Sequence, residues 1–408
     1  MLARPLAIAL VALTALGVAG CGGDPGGEEA FDTKVAVYVG VPLRGPWAER
    51  GQAIADGARL AMADSGGGVE TYSVRLSFQD ITDPTDPGRL SAEGAASAAG
   101  TALRDQGAIG MIAGLEPTTT REQVLLASQT GLSTVTVDGD RPSGSLADRS
   151  PRGRRLFVDL SAADRQIARQ LGARARALRC ARPTLVAVGI TDARLRALRQ
   201  ALPGARTTVV APARDVPDVS ADQAATVTRA ASGDAYADAR ITAALRRAGD
   251  CVVLAGEPAA GDPATAVARA GRSLRGTRML LTRGAASPAL ARLAAEQGIE
   301  AEAIVDGVAA GDDAESRKID RAYREVFGGP APIGVQAGWR ATKLLLRAIG
   351  AARRGNWRSD VAAALVRVPI PGPPAEGRQS RDGEASPAPV ALAVPDGGAW
   401  RVTRTLAR

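Results

Sequence analysis

Residues 35–63 read VAVYVGVPLRGPWAERGQAIADGARLAMA. The first seven residues form an unbroken apolar run rich in valine, the pattern of a strand covered on both faces. Pro42, Gly45 and Pro46 stop that run. From Ala48 onward small and apolar residues recur three and four positions apart, the stripe of a helix that packs against a sheet. Strand, tight turn and helix in this order make half of a βαβ unit, and its repetition predicts a doubly wound parallel sheet.

The rhythm does repeat. Strands are expected at 74–78, 109–113 and 132–137, with helices at 89–104 and 121–129 between them. The polar stretch 138–155 carries Gly139, Pro142, Gly144, Pro151 and Gly153 and reads as a crossover. A second series follows, with helices at 162–178, 193–201, 237–248, 264–274 and 288–297 and strands at 185–190, 207–210, 251–255 and 279–282. Residues 212–234 are loop-like and are left unassigned. Helices at 315–327 and 335–351 come next. The turn Pro395-Asp396-Gly397-Gly398, between apolar runs 390–394 and 400–403, predicts a closing hairpin.

The 408 residues are enough for two or three cores. Apolar residues are 45% and charged residues 23%, which argues against wholesale disorder and against a multi-span membrane protein. Histidine is absent, so Ser/His/Asp and Cys/His catalysis and histidine metal sites are excluded together. The net charge of +8 is almost all arginine, with lysine only at Lys34, Lys318 and Lys343. Those arginines are spread along helical faces without interleaved aromatics, the pattern of solvated surfaces, so no nucleic acid partner is expected.

One positive charge, an apolar run at 6–19 too short for the ~20 residues of a spanning helix, and Val18-Ala19-Gly20-Cys21 make a secretion signal over 1–20. The tetrapeptide resembles a bacterial lipobox, with Cys21 as the lipidation site and 21–33 as a flexible tether. The expected location is the cell envelope, anchored on the outer side of the cytoplasmic membrane. Cys180 and Cys251 each lie at the N-terminal edge of a strand, and a 2-1-3-4-5 order makes those strands neighbours. In an oxidising compartment a disulfide between them is expected, the alternative being two buried free thiols.

No GxGxxG follows a strand, and no Walker-type loop is present. Carboxylate pairs such as Asp83/Asp86 and Asp312/Asp313 sit in Pro- or Gly-containing loops, where Asp serves turns. No catalytic residue, metal ligand or cofactor is assigned, and the crevice at the carboxyl ends of the strands is the functional candidate.

The opening stretch with Glu49-Arg50-Gly51-Gln52 and Gly57-Ala58-Arg59-Leu60-Ala61, then Asp80, Asp83-Pro84, Ile109-Gly110-Met111-Ile112-Ala113-Gly114 with Thr118-Thr119, and 131–137, resembles type I periplasmic binding proteins of the leucine/branched-chain amino-acid receptor family. The resemblance continues through Val252-Val253-Leu254-Ala255-Gly256, Leu281-Thr282-Arg283-Gly284, Ala337-Gly338-Trp339 and 387–400. It implies an α/β fold of two Rossmann-like lobes joined by a three-stranded hinge, with 34–138 plus 310–385 in lobe I and 139–309 plus 386–408 in lobe II. It also implies a monomeric, non-enzymatic protein that takes a small amino-acid-like or amide-like solute and hands it to an ABC permease.

In the resembled family, two first-lobe loops hold the ligand carboxylate. The matching positions are Thr118 and Thr119, and the loop with Thr136, Asp138 and Asp140. Trp47 is a candidate wall residue; Trp339 is expected in the core from its helical stripe. In the second lobe Glu257 stands where aromatics are common, and Arg283 where an acidic residue often receives an ammonium group. This inverted charge pattern leaves two readings. Either the ligand has different polarity, or Arg283 pairs with Asp138 or Asp140 across the cleft. An envelope lipoprotein using the same fold as a sensor or interaction module, with a degenerate cleft, is the alternative function.

Overall fold

The computed structural model describes residues 33–137, 155–211, 227–229, 239–372, 376–386 and 388–406. The signal, Cys21, Asp138, Asp140 and most of 212–234 lie outside the described residues.

The chain opens with β1 (Thr33–Val41), α1 (Ala48–Ala63), the short β2 (Gly68–Val69), β3 (Tyr72–Asp80), α2 (Ala92–Arg104), β4 (Ala108–Gly114), α3 (Pro117–Gln129), β5 (Ser133–Val137) and β6 (Phe157–Asp159). These strands make one sheet of order β2-β3-β1-β4-β5-β6, parallel except for β2. The second series is α4 (Asp164–Ala177), β7 (Thr184–Val188), α5 (Asp192–Ala201), β8 (Arg206–Ala211), β9 (Val227–Arg229), α6 (Ala239–Arg246), β10 (Cys251–Gly256), α7 (Ala264–Ala270), β11 (Arg278–Thr282), α8 (Pro288–Gln297) and β12 (Ala301–Asp306). Helices α9 (Ala314–Phe327), α10 (Val335–Ala351) and α11 (Arg358–Leu365) follow, then the ribbon β13 (Arg378–Gln379) and β14 (Ala385–Ser386). The hairpin β15 (Val390–Asp396) and β16 (Ala399–Leu406) closes the chain and adds two antiparallel strands to the second sheet, whose order is β16-β15-β12-β11-β10-β7-β8-β9.

The fold is therefore α/β with two parallel-dominated sheets, each in its own lobe. The chain passes between them after β6, after β12 and after β14. Each lobe has its own apolar core. Val37, Val39, Ile109 and Ile112 of the first sheet pack with Ile54 and with Leu345 of α10. Val252, Leu254 and Leu281 of the second sheet pack with Leu245, Val267 and Leu290.

Some boundaries depart from the sequence expectation. Residues 157–159, expected in the second lobe, pair with the free edge of β5 (Thr134↔Phe157, Thr136↔Asp159) and so extend the first sheet. Strand β12 and helix α11 are additional; both are short. Helix α2 starts three residues later than expected because Ser91 accepts the Gly94 N–H and caps it there. The stretch 264–274 breaks at Gly271, whose φ of +54° ends the α-helix before a 3-10 turn.

The expected neighbours β7 and β10 pair in register (Val252↔Thr184), and Cys180 and Cys251 form a disulfide with Cα atoms 5.6 Å apart. Trp339 is 6% exposed in a cluster shared by α1, α9 and α10, as its stripe implied. The close crossing of α1 and α10 is a packing demand. A Cβ on Gly57 would lie 1.9 Å from the Val335 carbonyl oxygen, and one on Gly338 1.9 Å from that of Ile54.

Candidate functional site

The carboxyl ends of β1, β3, β4 and β5 in one lobe and of β7, β10, β11 and β12 in the other carry the charged side chains of interest. Asp80, ending β3, accepts the Leu43 N–H (2.9 Å), the Thr82 N–H (3.1 Å) and the Thr82 hydroxyl (2.8 Å), and pairs with Arg44. Burial pushes its carboxyl up, but these donors outweigh burial and hold it below its ordinary value. This anchors the loop between β1 and α1.

After β4 the chain turns into α3 with Pro117 at its first position. Glu116 is the cap: its carboxyl accepts the N–H of Thr118 (2.9 Å) and of Thr119 (2.7 Å). A helix N-terminus offers unsatisfied N–H groups and a positive dipole end to an anion. In this chain the protein's own Glu116 fills that position. Glu116 is 2% exposed, and burial dominates over its hydrogen bonds and raises its pKa above the ordinary carboxylate value.

Thr118, expected to meet a ligand, is exposed and its N–H is used by Glu116. Thr119 is fully buried, its hydroxyl donating to the Glu116 carbonyl at 3.2 Å. Thr136 is buried in β5 opposite Ala113 and Asp159. Trp47, expected on the cleft wall, belongs to the first core at 1% exposure, at the end of the 3-10 turn that leads into α1.

In the second lobe the charges are arranged alternately. Glu257, after β10, is buried and paired with the equally buried Arg194 at the start of α5. Asp164, at the start of α4, lies 4.0 Å from Arg194 and 3.6 Å from Arg283. Arg283, 1% exposed, binds Asp306 at 2.7 Å and donates to the Ala162 carbonyl at 3.1 Å. The other Asp306 oxygen accepts the Ala162 N–H at 2.6 Å. Arg283 thus ties together two of the three connections between the lobes.

Arg340 of α10 extends this array toward the first lobe, donating to the Pro371 carbonyl at 3.2 Å. Burial draws its guanidinium down to about 10, with Asp306 acting in the opposite sense, so it stays charged at neutral pH. Glu257 and Arg283 are therefore each committed to protein partners. The expected partners Asp138 and Asp140 lie outside the described residues.

Sequence reading missed Glu116, Arg50, Asp164, Arg194 and Asp306. For Glu116 a signal existed: Pro117 favours the first helical position, which makes residue 116 the cap. Arg50 lay inside the quoted opening stretch but carried no assigned role. Arg50 is 3% exposed, and its Nη1 donates to the carbonyls of Arg283 (2.6 Å) and Ala286 (3.5 Å). Beside it, a cavity of about 470 Å³ is bounded by Leu43, Arg50 and Tyr323 on one side, Pro288 and Trp400 on the other, and Ile333 between them. Both lobes contribute to its wall. Among the described residues, no helix is long and apolar enough to cross a membrane.

No protein-family model matches this chain. No curated protein matches it either. Solved structures do. A leucine-binding protein, LivK, from Thermotoga maritima superposes with a TM-score of 0.70 at 16% identity, over 91% of this chain and 98% of that one. The branched-chain amino-acid transporter substrate-binding protein LivJ from Streptococcus pneumoniae, in complex with isoleucine, superposes with a TM-score of 0.71 at 12% identity, over 91% and 99%. An ABC-transporter solute-binding protein from R. palustris, in complex with benzoate, gives 0.66 at 15% identity, over 92% and 98%. Near-complete coverage in both directions, with two parallel-dominated sheets and three connections, identifies the fold of this chain as that of the type I periplasmic binding proteins.

Proposed function

We propose that this protein is the extracytoplasmic solute-binding component of an ABC importer, tethered through lipid on Cys21, monomeric, and without catalytic activity of its own. The observation that carries the reading is the meeting of the two sets of strand ends, where Arg50 after β1 reaches the carbonyl of Arg283 after β11 at 2.6 Å. A crevice at the carboxyl ends of parallel strands is where such sheets bind small molecules. The structural neighbours named as solute-binding proteins support the same reading.

The proposed solute is amide-like, with no free α-amino-acid head group. A ligand carboxylate at Thr118 and Thr119 would compete with Glu116 for the same two N–H groups, and Glu257 and Arg283, which stand at the second-lobe positions expected to meet the rest of such a head group, are each paired within the protein. The test is thermal unfolding of the full chain against neutral amides, amino acids and aromatic acids. A ligand at 100 times its Kd adds about 2.7 kcal/mol of stability. Neutral amides are expected to raise Tm and free leucine to leave it unchanged.

The second reading, a sensor or protein-interaction module with a degenerate cleft, is favoured by the same self-satisfied charges. A flat response to the whole panel, with no solute carried through purification by native mass spectrometry, would select it.

A further inference from the structure

We propose that Arg50 is a built-in latch that holds the two lobes closed with no solute between them. Arg50 stands in the first turn of α1, in the first lobe, and its guanidinium is buried against the second. It donates to the backbone carbonyls of Arg283, the first residue of the 3-10 turn after β11, and of Ala286, just past that turn. A charged donor to a carbonyl is stronger than a neutral one, and a buried guanidinium requires such acceptors.

Both mounts of the latch are stiff. On the first lobe, a Cβ on Gly51 would lie 1.8 Å from the Pro42 carbonyl oxygen, so the start of α1 sits hard against the turn before it. On the second, a Cβ on Gly284 would lie 2.2 Å from the Gly256 carbonyl oxygen, and the Arg283 side chain is held by Asp306 and Ala162. Neither end can move without its lobe. An outer pair, Glu49 with Arg292 at 2.5 Å, lies at the same boundary but is half exposed and so contributes little.

Closure in two-lobed receptors is ordinarily a population shift that a ligand drives by binding the closed form better. Here the carbonyl ligands of a closed-state contact come from the protein itself. The inference does not rest on the proposed function, since it concerns the protein free of solute.

The test is a pulsed EPR distance between spin labels at Arg121→Cys on α3 and Ala268→Cys on α7, both exposed and in opposite lobes. It uses the full chain, with the disulfide intact, freed of bound solute by dialysis from urea. Expected is one narrow distribution at the closed distance in the parent. Arg50→Met should lengthen the mean by more than the parent's width, while Arg292→Glu should leave it in place. A solute-free parent that is already open, or an Arg50→Met variant that stays at the parent distance, overturns the latch. If Arg50→Met fails to fold, Arg50→Gln, which removes the charge and is too short to reach either carbonyl, serves instead, and lengthening or no lengthening decides in the same way. The experiment reads geometry and not affinity, so its failure is distinct from a flat solute panel.

Discussion

The Glu116 carboxyl receives the Thr119 N–H at 2.7 Å from a position that solvent hardly reaches. A group in that position is squeezed between two opposing effects. The helix N-terminus favours its charge, and burial opposes it. Burial wins, and the Glu116 carboxyl is held above its ordinary value.

A pH dependence follows with a definite sign. The folded pKa of Glu116 is raised, so the folded protein holds this proton more tightly than the unfolded chain. Its contribution to stability is fully present below the ordinary value of about 4.3. It is lost as pH rises from there through the raised folded value, at up to about 1.4 kcal/mol per pH unit, and is flat above. Glu116→Gln should abolish this decline. Urea unfolding of parent and variant between pH 4 and 8 checks it, and parallel curves would contradict it.

Asp80 should behave in the opposite sense. Its folded pKa is lowered, so its stabilisation is present above about 3.9 and lost as pH falls through the folded value. Asp80→Asn should cost about 1–2 kcal/mol at pH 7 and less under acid conditions. Chemical unfolding at pH 7 and pH 3 measures the difference.

Removing one member of the buried charge array should be costly. Asp306→Ala takes the carboxylate from Arg283 and the acceptor from the Ala162 N–H, leaving a buried guanidinium short of its counter-charge. The expected loss is about 3–5 kcal/mol, read from the urea midpoint. Arg283→Met with Asp306→Leu should lose markedly less than the sum of the single changes, because the two paired charges leave together and neither is stranded by the loss of the other.

The disulfide spans a sequence separation of 71 and joins the edges of neighbouring strands. Reducing it should cost about 2–4 kcal/mol, most of it through the unfolded chain. Unfolding with and without dithiothreitol measures this, and Cys180→Ser with Cys251→Ser should reproduce the reduced curve.

Gly57→Ala and Gly338→Ala should each destabilise by several kcal/mol, although alanine is the better helix former. The methyl would meet a backbone carbonyl and force α1 and α10 apart. Gly100→Ala, on α2 and close only to the end of the Arg104 side chain, should be neutral or slightly stabilising. Circular dichroism melting of the three variants makes the comparison.

Local periodicity alone determined the α/β class, the tandem repetition and most helix and strand positions, because a buried parallel strand and the helix covering it each write their pattern within a dozen residues. The stretch 35–63 set the pattern, the later runs repeated it, and the expected pairing of Cys180 with Cys251 followed from the strand order that the repetition implies. Strands β6 and β12 were not legible: the three residues of β6 are too few to show a period, and β12 carries Glu302 inside the run and Asp306 at its end, which break the continuous apolar pattern by which the other strands were read. Only the tertiary structure decided the chemistry of the site. Arg50 and Arg283 are 233 positions apart, and Arg194 and Glu257 are 63 apart. Whether such a charge faces a ligand or a protein partner depends on which groups the fold brings within about 3 Å, a quantity that no local pattern contains.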